Sequence, residues 1–249
     1  MLPELSLIEQ LREFETALVA EAMGALGCED AESHYMGNSV QLLTQLSEPL
    51  VGTALTILAD TSTPGNSSDT QAFWDLCRNC LETKIPSVAV VKATGARFEH
   101  ECIVGDGMAK MLKSCGCAGL ITDGGARDIS QINKCGFTVF GSGKVANHTP
   151  YKMKITNEPV NIAGLSIQND CLIHADADGV ITIPSSYHAG IVQASILCRE
   201  FETRVHCFWR RTDKTIEEKM EFVAQQAKLR SELCQPYVLH AEKAVKTNL

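Results

Sequence analysis

Asp106, Arg127 and Asp128 are the residues of this chain whose types and spacing could do chemistry together. They lie at the two ends of one stretch, which opens with Gly105-Asp106-Gly107-Met108 and closes with Asp123-Gly124-Gly125-Ala126-Arg127-Asp128. Two carboxylates and a guanidinium at Gly-rich turns suit a metal-assisted reaction on a small anionic substrate. The carboxylates hold a hard cation, the Arg fixes a negative oxygen, and the glycines let backbone N–H groups come close.

The elements that must position these groups read as a helix followed by a strand. After Gly107 the residues Met108, Met111, Leu112 and Cys115 share a helical face, residues 118–122 are β-like, and a helix follows over 127–134. In a crossover unit, the loops that end successive strands lie on the same sheet edge, so both charged loops can face one crevice. Each residue also has a structural reading. Asp106 at or near an N-cap is favoured by free N–H groups and the helix dipole, and Asp128 could cap the next helix with Arg127 as its ion-pair partner. The amides of Gly107 and Met108 at the same helix start offer an anion site.

Along the rest of the chain, helix and strand patterns alternate. A helix follows Thr16 as N-cap, with Leu18, Val19, Ala22, Met23 and Leu26 on its apolar face. Residues 51–58 are β-like, 61–69 form a polar loop, and a helix carries Phe73, Trp74, Cys77, Cys80 and Leu81 at apolar positions. Strands are expected at 87–92 and 137–140, then strands alone at 159–167, 171–174 and 180–183. From Ser185 onward the pattern is helical, with Ile216, Met220, Val223 and Ala227 on successive turns of an amphipathic segment. This order predicts an α/β fold: one domain over 1–190 and a helical extension over 191–249, packed on or between subunits.

A net charge of −8 argues against nucleic acid or an anionic membrane as the main partner. The N-terminus shows no basic region followed by an apolar run, and no stretch reaches the roughly 18 apolar residues of a membrane span. A cytoplasmic protein is therefore expected. The eleven cysteines are scattered, odd in number and without a signal peptide, so they read as reduced and mostly buried. Cys77 and Cys80 form a C-x-x-C, which on a helix buries two thiols or, alternatively, serves redox or zinc chemistry.

The run His174-Ala175-Asp176-Ala177-Asp178-Gly179 has acidic groups at alternate positions before a glycine, like a calcium loop. Its twelfth position is Ser185 in place of a bidentate Glu, so a tight turn between two strands is the better reading. The chain contains no G-x-S-x-G, Walker loop or G-x-G-x-x-G.

The stretch from Gly105 to Asp128 resembles the RraA-like family, which includes divalent-metal-dependent 4-hydroxy-4-methyl-2-oxoglutarate aldolases. That family's aldolase signature is an Asp, twenty residues and an Arg-Asp, matched here by Asp106 and Arg127-Asp128. Thr16–Leu26, Gly52–Thr56 and the run from Ala175 to Pro184 are similar to its opening helix, first core strand and closing hairpin. The resemblance covers about residues 15 to 190 and implies a β/β/α, swivelling-domain type of fold assembled as a homotrimer or homohexamer. It further implies a lyase acting on small 2-oxo acids by retro-aldol cleavage or oxaloacetate decarboxylation. Asp128 would be the direct ligand of Mg²⁺ or Mn²⁺ and Asp106 would hold a metal-bound water. Arg127 would contact the enolate oxygen, and Gly105, Gly107 and Met108 would frame the substrate carboxylate, the last two through their amides. The family also contains non-catalytic regulators of an RNA-degrading endonuclease, which tend to lack part of the acidic set. Three departures from the family pattern are Glu21 where Asp is common, Gln131 where an acid is common, and Gln168-Asn169-Asp170 in place of Pro-Gly-Asp.

Overall fold

The computed structural model describes residues 2–28, 30–148 and 150–247, with side chains described up to 238. In chain order its elements are α1 (Leu5–Leu11), α2 (Thr16–Ala25), β1 (Gln41–Leu42), β2 (Leu50–Asp60), α3 (Gln71–Glu82), β3 (Ser87–Ala93) and β4 (Cys102–Val104). Then follow α4 (Asp106–Ser114), β5 (Cys117–Thr122), β6 (Gly125–Ala126), α5 (Ile129–Cys135), β7 (Thr138–Gly141), β8 (Gly143–Lys144) and β9 (Lys152–Ile155). The last are β10 (Val160–Ile162), β11 (Leu165–Ile167), β12 (Leu172–Asp176), β13 (Gly179–Ile183), α6 (Ile191–Trp209) and α7 (Ile216–Thr247). They fall into two compact units. One joins the chain up to Thr16 to Glu32–Ile183, and the other joins Ala17–Ala31 to the chain from Pro184 onward.

The first unit is built on a sheet in the order β1-β7-β5-β3-β2-β12-β13. Strands β7, β5, β3 and β2 run parallel, because a helix separates each from the next in sequence. One edge of the long strand β2 serves two partners: β12 pairs with its first half and β9 with its second. Both faces are covered, which is why β3 reads as a continuous apolar run. Ala89, Val91 and Ala93 pack with Phe73, Leu76, Ala109, Leu112 and Ile132 of α3, α4 and α5. Val88 and Val90 pack on the other side with Val160, Ile162, Leu165 and Ile167 of the β10–β11 hairpin. The layers are therefore β, β and α, as the family resemblance implies.

Beyond the main sheet a second, three-stranded parallel sheet forms in the order β4-β6-β8. Strands β6 and β8 continue the paths of β5 and β7 after a break at Asp123-Gly124 and at Ser142. The glycines here make room for close backbone. A Cβ at Gly125 would fall 2.5 Å from Val145 Cγ2, and one at Gly124 would fall 2.7 Å from Ile103 Cγ1.

Several expected elements differ in detail. The strand expected over 159–167 is a hairpin, turned by Ala163 and Gly164, both with positive φ, so it pairs with itself (β10 with β11). On α3, Trp74 and Leu81 are exposed while Leu76 joins Phe73, Cys77 and Cys80 in the core. Thr16 is the first residue of α2 and not its cap: its backbone N–H donates to Asp176 Oδ2 at 2.8 Å.

In the second unit α6 and α7 pack antiparallel-style through a stacked pair, Phe208 on Phe222, with ring centroids 4.0 Å apart. Arg230 of α7 ion-pairs with Glu21 of α2 and lies over the Phe201 ring. Helix α7 opens on a capping box: the Glu218 N–H donates to Thr215 Oγ1, and the Thr215 N–H donates back to Glu218 Oε2. Of its expected apolar stripe, Ile216 and Met220 are exposed. Among the described residues, no helix is long and apolar enough to cross a membrane.

Candidate active site

The small sheet brings the two charged loops together. Strands β4 and β6 are adjacent and parallel, with Val104 opposite Ala126, so the residues that follow each strand emerge side by side. The Arg127 N–H donates to the Val104 carbonyl at 3.0 Å, which fixes Arg127-Asp128 beside Gly105-Asp106. Loops at the C-terminal ends of neighbouring parallel strands are where open α/β folds bind ligands. The edge that sets the two charged loops side by side belongs to β4-β6-β8, not to the main sheet.

Two buried carboxylates brace this arrangement from beneath. Glu101, fully buried just before β4, accepts from the Thr61 N–H at 2.8 Å, from Thr61 Oγ1 and from Ser62 Oγ. Its backbone carbonyl accepts the Gly125 N–H, tying β4 to β6. Asp123 accepts from the Ala93 N–H at 2.8 Å and ion-pairs with Lys92. Buried charge on this scale is tolerable only because each oxygen is satisfied. Sequence reasoning assigned neither acid a role, and their only sequence signal is position, one before β4 and one before the Gly124-Gly125 turn.

At the first loop, Gly105 is the N-cap of α4 and Asp106 its first helical residue, so Asp106 stands one position inside the expected cap. Asp106 Oδ2 meets Lys110 Nζ at 2.5 Å, one turn along the helix. This hydrogen bond, with the Gly107 N–H and the positive charge of Arg127, holds the Asp106 carboxyl below the usual range. Lys110 was missed, although an Asp four residues before a Lys on a helix is a legible pair. Gly107 is exposed, and a Cβ there would meet nothing within 4 Å, so the first turn of α4 is sterically open at this residue.

At the second loop, Asp128 occupies the N-cap position of α5 with left-handed backbone, φ 56° and ψ 31°. Its side chain makes no capping hydrogen bond, and the helix start is served by its carbonyl, which accepts from Gln131 and Ile132. The cap reading of the carboxylate is thereby corrected, whereas the ion-pair reading holds: Arg127 Nε lies 3.3 Å from Asp128 Oδ2. A Cβ on Gly105 would fall 2.9 Å from both of those atoms, so only glycine leaves this approach open. A non-glycine residue in such backbone costs of order 1 kcal/mol or more and persists where its surroundings enforce it.

Arg127 lines two clefts. One, of about 430 Å³, is lined by Asp106, Gly107, Met108 and Arg127, facing Thr61, His148 and Tyr151. The other, of about 710 Å³, is lined by Arg127 and Asp128 with Ser130, Asn133 and Lys144. All six expected site residues thus gather at the β4 and β6 ends, Asp106 lining the first cleft and Asp128 the second. Within this chain, hydrogen bonds and charge can fix an anion at the α4 start and polarise it through Arg127.

A family model described as "RraA-like: Aldolase/RraA" matches residues 16–182. The chain is 27% identical over 194 residues to a Halalkalibacterium halodurans protein named "Putative 4-hydroxy-4-methyl-2-oxoglutarate aldolase", covering 76% of this chain and 82% of that one. It is 31% identical over 108 residues to an Arabidopsis thaliana protein named "Putative 4-hydroxy-4-methyl-2-oxoglutarate aldolase 3". That match covers 43% of this chain and 64% of the plant protein. A solved structure from Pseudomonas syringae pv. tomato, titled as an uncharacterized protein, shares the fold with a TM-score of 0.65 at 22% identity. It covers 89% of this chain and 96% of that one.

Proposed function

This chain belongs to the RraA-like family, and from that membership we propose that it is a divalent-metal-dependent carbon–carbon lyase acting on 2-oxo acids. The reaction would be retro-aldol cleavage of 4-hydroxy-4-methyl-2-oxoglutarate-like substrates, decarboxylation of oxaloacetate, or both. The observation that carries the reading is the meeting of Arg127 and Asp128 over Gly105, beside Asp106 at the start of α4, with the Asp128 carboxylate released from capping.

The donor set suits a hard cation. Asp128 offers carboxylate oxygens on a half-open surface, and Asp106 is kept ionised by Lys110. Oxygen donors of this kind, completed by water, are what Mg²⁺ and Mn²⁺ prefer. Asp128 would hold the ion directly and Asp106 through water. When bound, the ion supplies Lewis-acid withdrawal of electrons from the substrate's 2-oxo group.

The chain's own residues do the rest. The amides of Gly107 and Met108 grip the substrate carboxylate at the positive end of α4. Carbon–carbon cleavage releases the far fragment, as a carbonyl compound whose hydroxyl proton passes to water or as CO2, and sends the bond's electron pair into the 2-oxo group, leaving an enolate that takes a proton from water to become pyruvate. Arg127 faces that oxygen and stabilises the negative charge as it forms. Both reactions pass through the same enolate, so one site serves both. A trimer or hexamer is part of the proposal, following the family.

A coupled assay for pyruvate, with oxaloacetate and with 4-hydroxy-4-methyl-2-oxoglutarate, tests the reading. Turnover is expected with Mg²⁺ or Mn²⁺, lost in EDTA and regained on adding either metal. Turnover that survives chelation would remove the metal from the reaction. Calorimetric Mg²⁺ binding without pyruvate from either substrate would remove the lyase, leaving a binding role such as regulation of an RNA-degrading endonuclease.

A further inference from the structure

The proposed lyase site uses only part of the first cleft. The start of α4 and Arg127 line it and would take the carboxylate and the 2-oxo group of the substrate. Its volume of about 430 Å³ falls in the range of clefts that hold a whole drug-sized ligand, more than a pyruvyl end fills. The rest of the lining bears on whatever is attached beyond that end.

Four apolar or aromatic side chains share this cleft: Met108 and Met111, one turn apart on α4, with Pro150 and Tyr151. Met111 is 40% exposed although large and apolar, Met108 and Tyr151 are half-buried, and Pro150 is exposed. An apolar group seated on them removes their surface and its own from water. Flexible thioethers adapt to different shapes and make favourable contacts with aromatic rings. Charge points the same way. Among the described residues Arg127 is the only Lys or Arg that lines this cleft, and the enolate oxygen takes it. A second carboxylate on the ligand would enter a cleft that also holds Asp106, with no lysine or arginine left to pair with it. His148, exposed, is the one other group there that can carry positive charge. The second cleft differs, because Lys144 lines it together with Arg127.

We propose that the substituent beyond the pyruvyl end of this chain's aldol substrate is an uncharged apolar group, a branched alkyl or an aryl, seated on Met108, Met111 and Tyr151. The proposal rests on the lyase reading for the position of the pyruvyl end. Retro-aldol cleavage then releases an apolar aldehyde or ketone beside pyruvate.

The test is calorimetric titration of the folded full chain, with Mg²⁺ present, using 2-oxo acids that lack a 4-hydroxyl and so cannot undergo retro-aldol cleavage. The ligands are pyruvate, 2-oxoglutarate, 4-methyl-2-oxopentanoate and 4-phenyl-2-oxobutanoate. Pyruvate is expected to bind with Mg²⁺ and not in EDTA. The two apolar acids should bind about tenfold tighter than pyruvate, the scale of a few methylenes partly covered, and 2-oxoglutarate no tighter than pyruvate. Met111→Lys, at an exposed position, should reverse the order, weakening the apolar acids and favouring 2-oxoglutarate. Tightest binding of 2-oxoglutarate by the unaltered chain would overturn the proposal. Loss of that advantage in Lys144→Ala or in His148→Asn would then place the distal group on one of those residues instead. An apolar preference unmoved in Met111→Lys would overturn it too, since the group would lie elsewhere. Pyruvate that fails to bind, or binds equally in EDTA, is a separate result: it removes the metal-held pyruvyl site, and this proposal falls with it.

Discussion

At Asp176 both carboxylate oxygens are spent inside the fold, whereas at Asp128 neither serves the helix that begins there. Asp176 Oδ1 accepts the Asp178 N–H at 2.9 Å and Oδ2 accepts the Thr16 N–H at 2.8 Å, so it closes a hairpin and starts α2. Next to it, His174 is fully buried, with Nδ1 on Thr16 Oγ1 at 2.9 Å and Nε2 on the Leu11 carbonyl at 3.0 Å. Asp128 instead bends its own backbone into the left-handed region and turns its carboxylate to Arg127 over Gly105. Both regions combine aspartates with glycine turns. What separates them is the partner: backbone N–H groups take both oxygens of Asp176, whereas the Arg127 guanidinium lies beside the Asp128 carboxylate.

The largest effect that could break this contrast is at Arg127. In Arg127→Met the hydrocarbon stem remains and the charge is gone. Pyruvate release is expected to fall about 10²–10³-fold in kcat, the scale of losing one preorganised donor to a developing oxyanion. Its thermal midpoint should stay close to that of the parent, because a part-exposed ion pair contributes little. A variant that keeps its turnover would make Arg127 a structural residue like Asp176.

His174 should behave in the opposite manner. His174→Ala removes a fully buried ring and leaves the Leu11 carbonyl without its partner, a loss of about 2–4 kcal/mol in stability by denaturant titration. Activity per folded molecule should not change. Burial also holds the His174 ring below its usual value near 6.5. The unfolded chain then binds a proton that the folded chain resists. Stability is fully present above about pH 6.5 and declines as the pH falls through and below that value. The variant should show a shallower decline over the same window, and an identical pH profile would show that another group sets it.

Much of this contrast could be read from the chain. The alternation of helix and strand around residues 51–140 is carried by long apolar runs such as Ser87–Ala93, and these became the sheet and its covering helices. The Asp–Arg-Asp spacing picked out two loops that the structure places side by side. Strands β4, β6 and β8 were not legible, because two or three residues cannot display a period, and their pairing is set by partners far away in sequence. The same holds for Asp176 as the cap of α2, a contact across 160 residues. Trp74 and Leu81 fitted a helical stripe as residue types, but the buried face of α3 is centred on Phe73, Leu76 and Cys80. Hydrophobicity alone does not say where a helix faces.

The smallest predicted effect on stability, at Asp128, separates backbone from chemistry most cleanly. Asparagine tolerates left-handed backbone about as well as aspartate does, whereas alanine at positive φ meets its Cβ penalty in full. Asp128→Asn should therefore unfold within about 0.5 kcal/mol of the parent, and Asp128→Ala should be destabilised by about 1 kcal/mol. Both lose the carboxylate, so both should lose metal-dependent pyruvate release to a similar extent. If instead activity followed stability, with Asn nearly intact and Ala impaired, the carboxylate would be holding the loop and nothing else. Equal loss of activity with unequal stability is the pattern that a ligand-facing aspartate requires, and calorimetric Mg²⁺ titration of the Asn variant should then show no binding at this site.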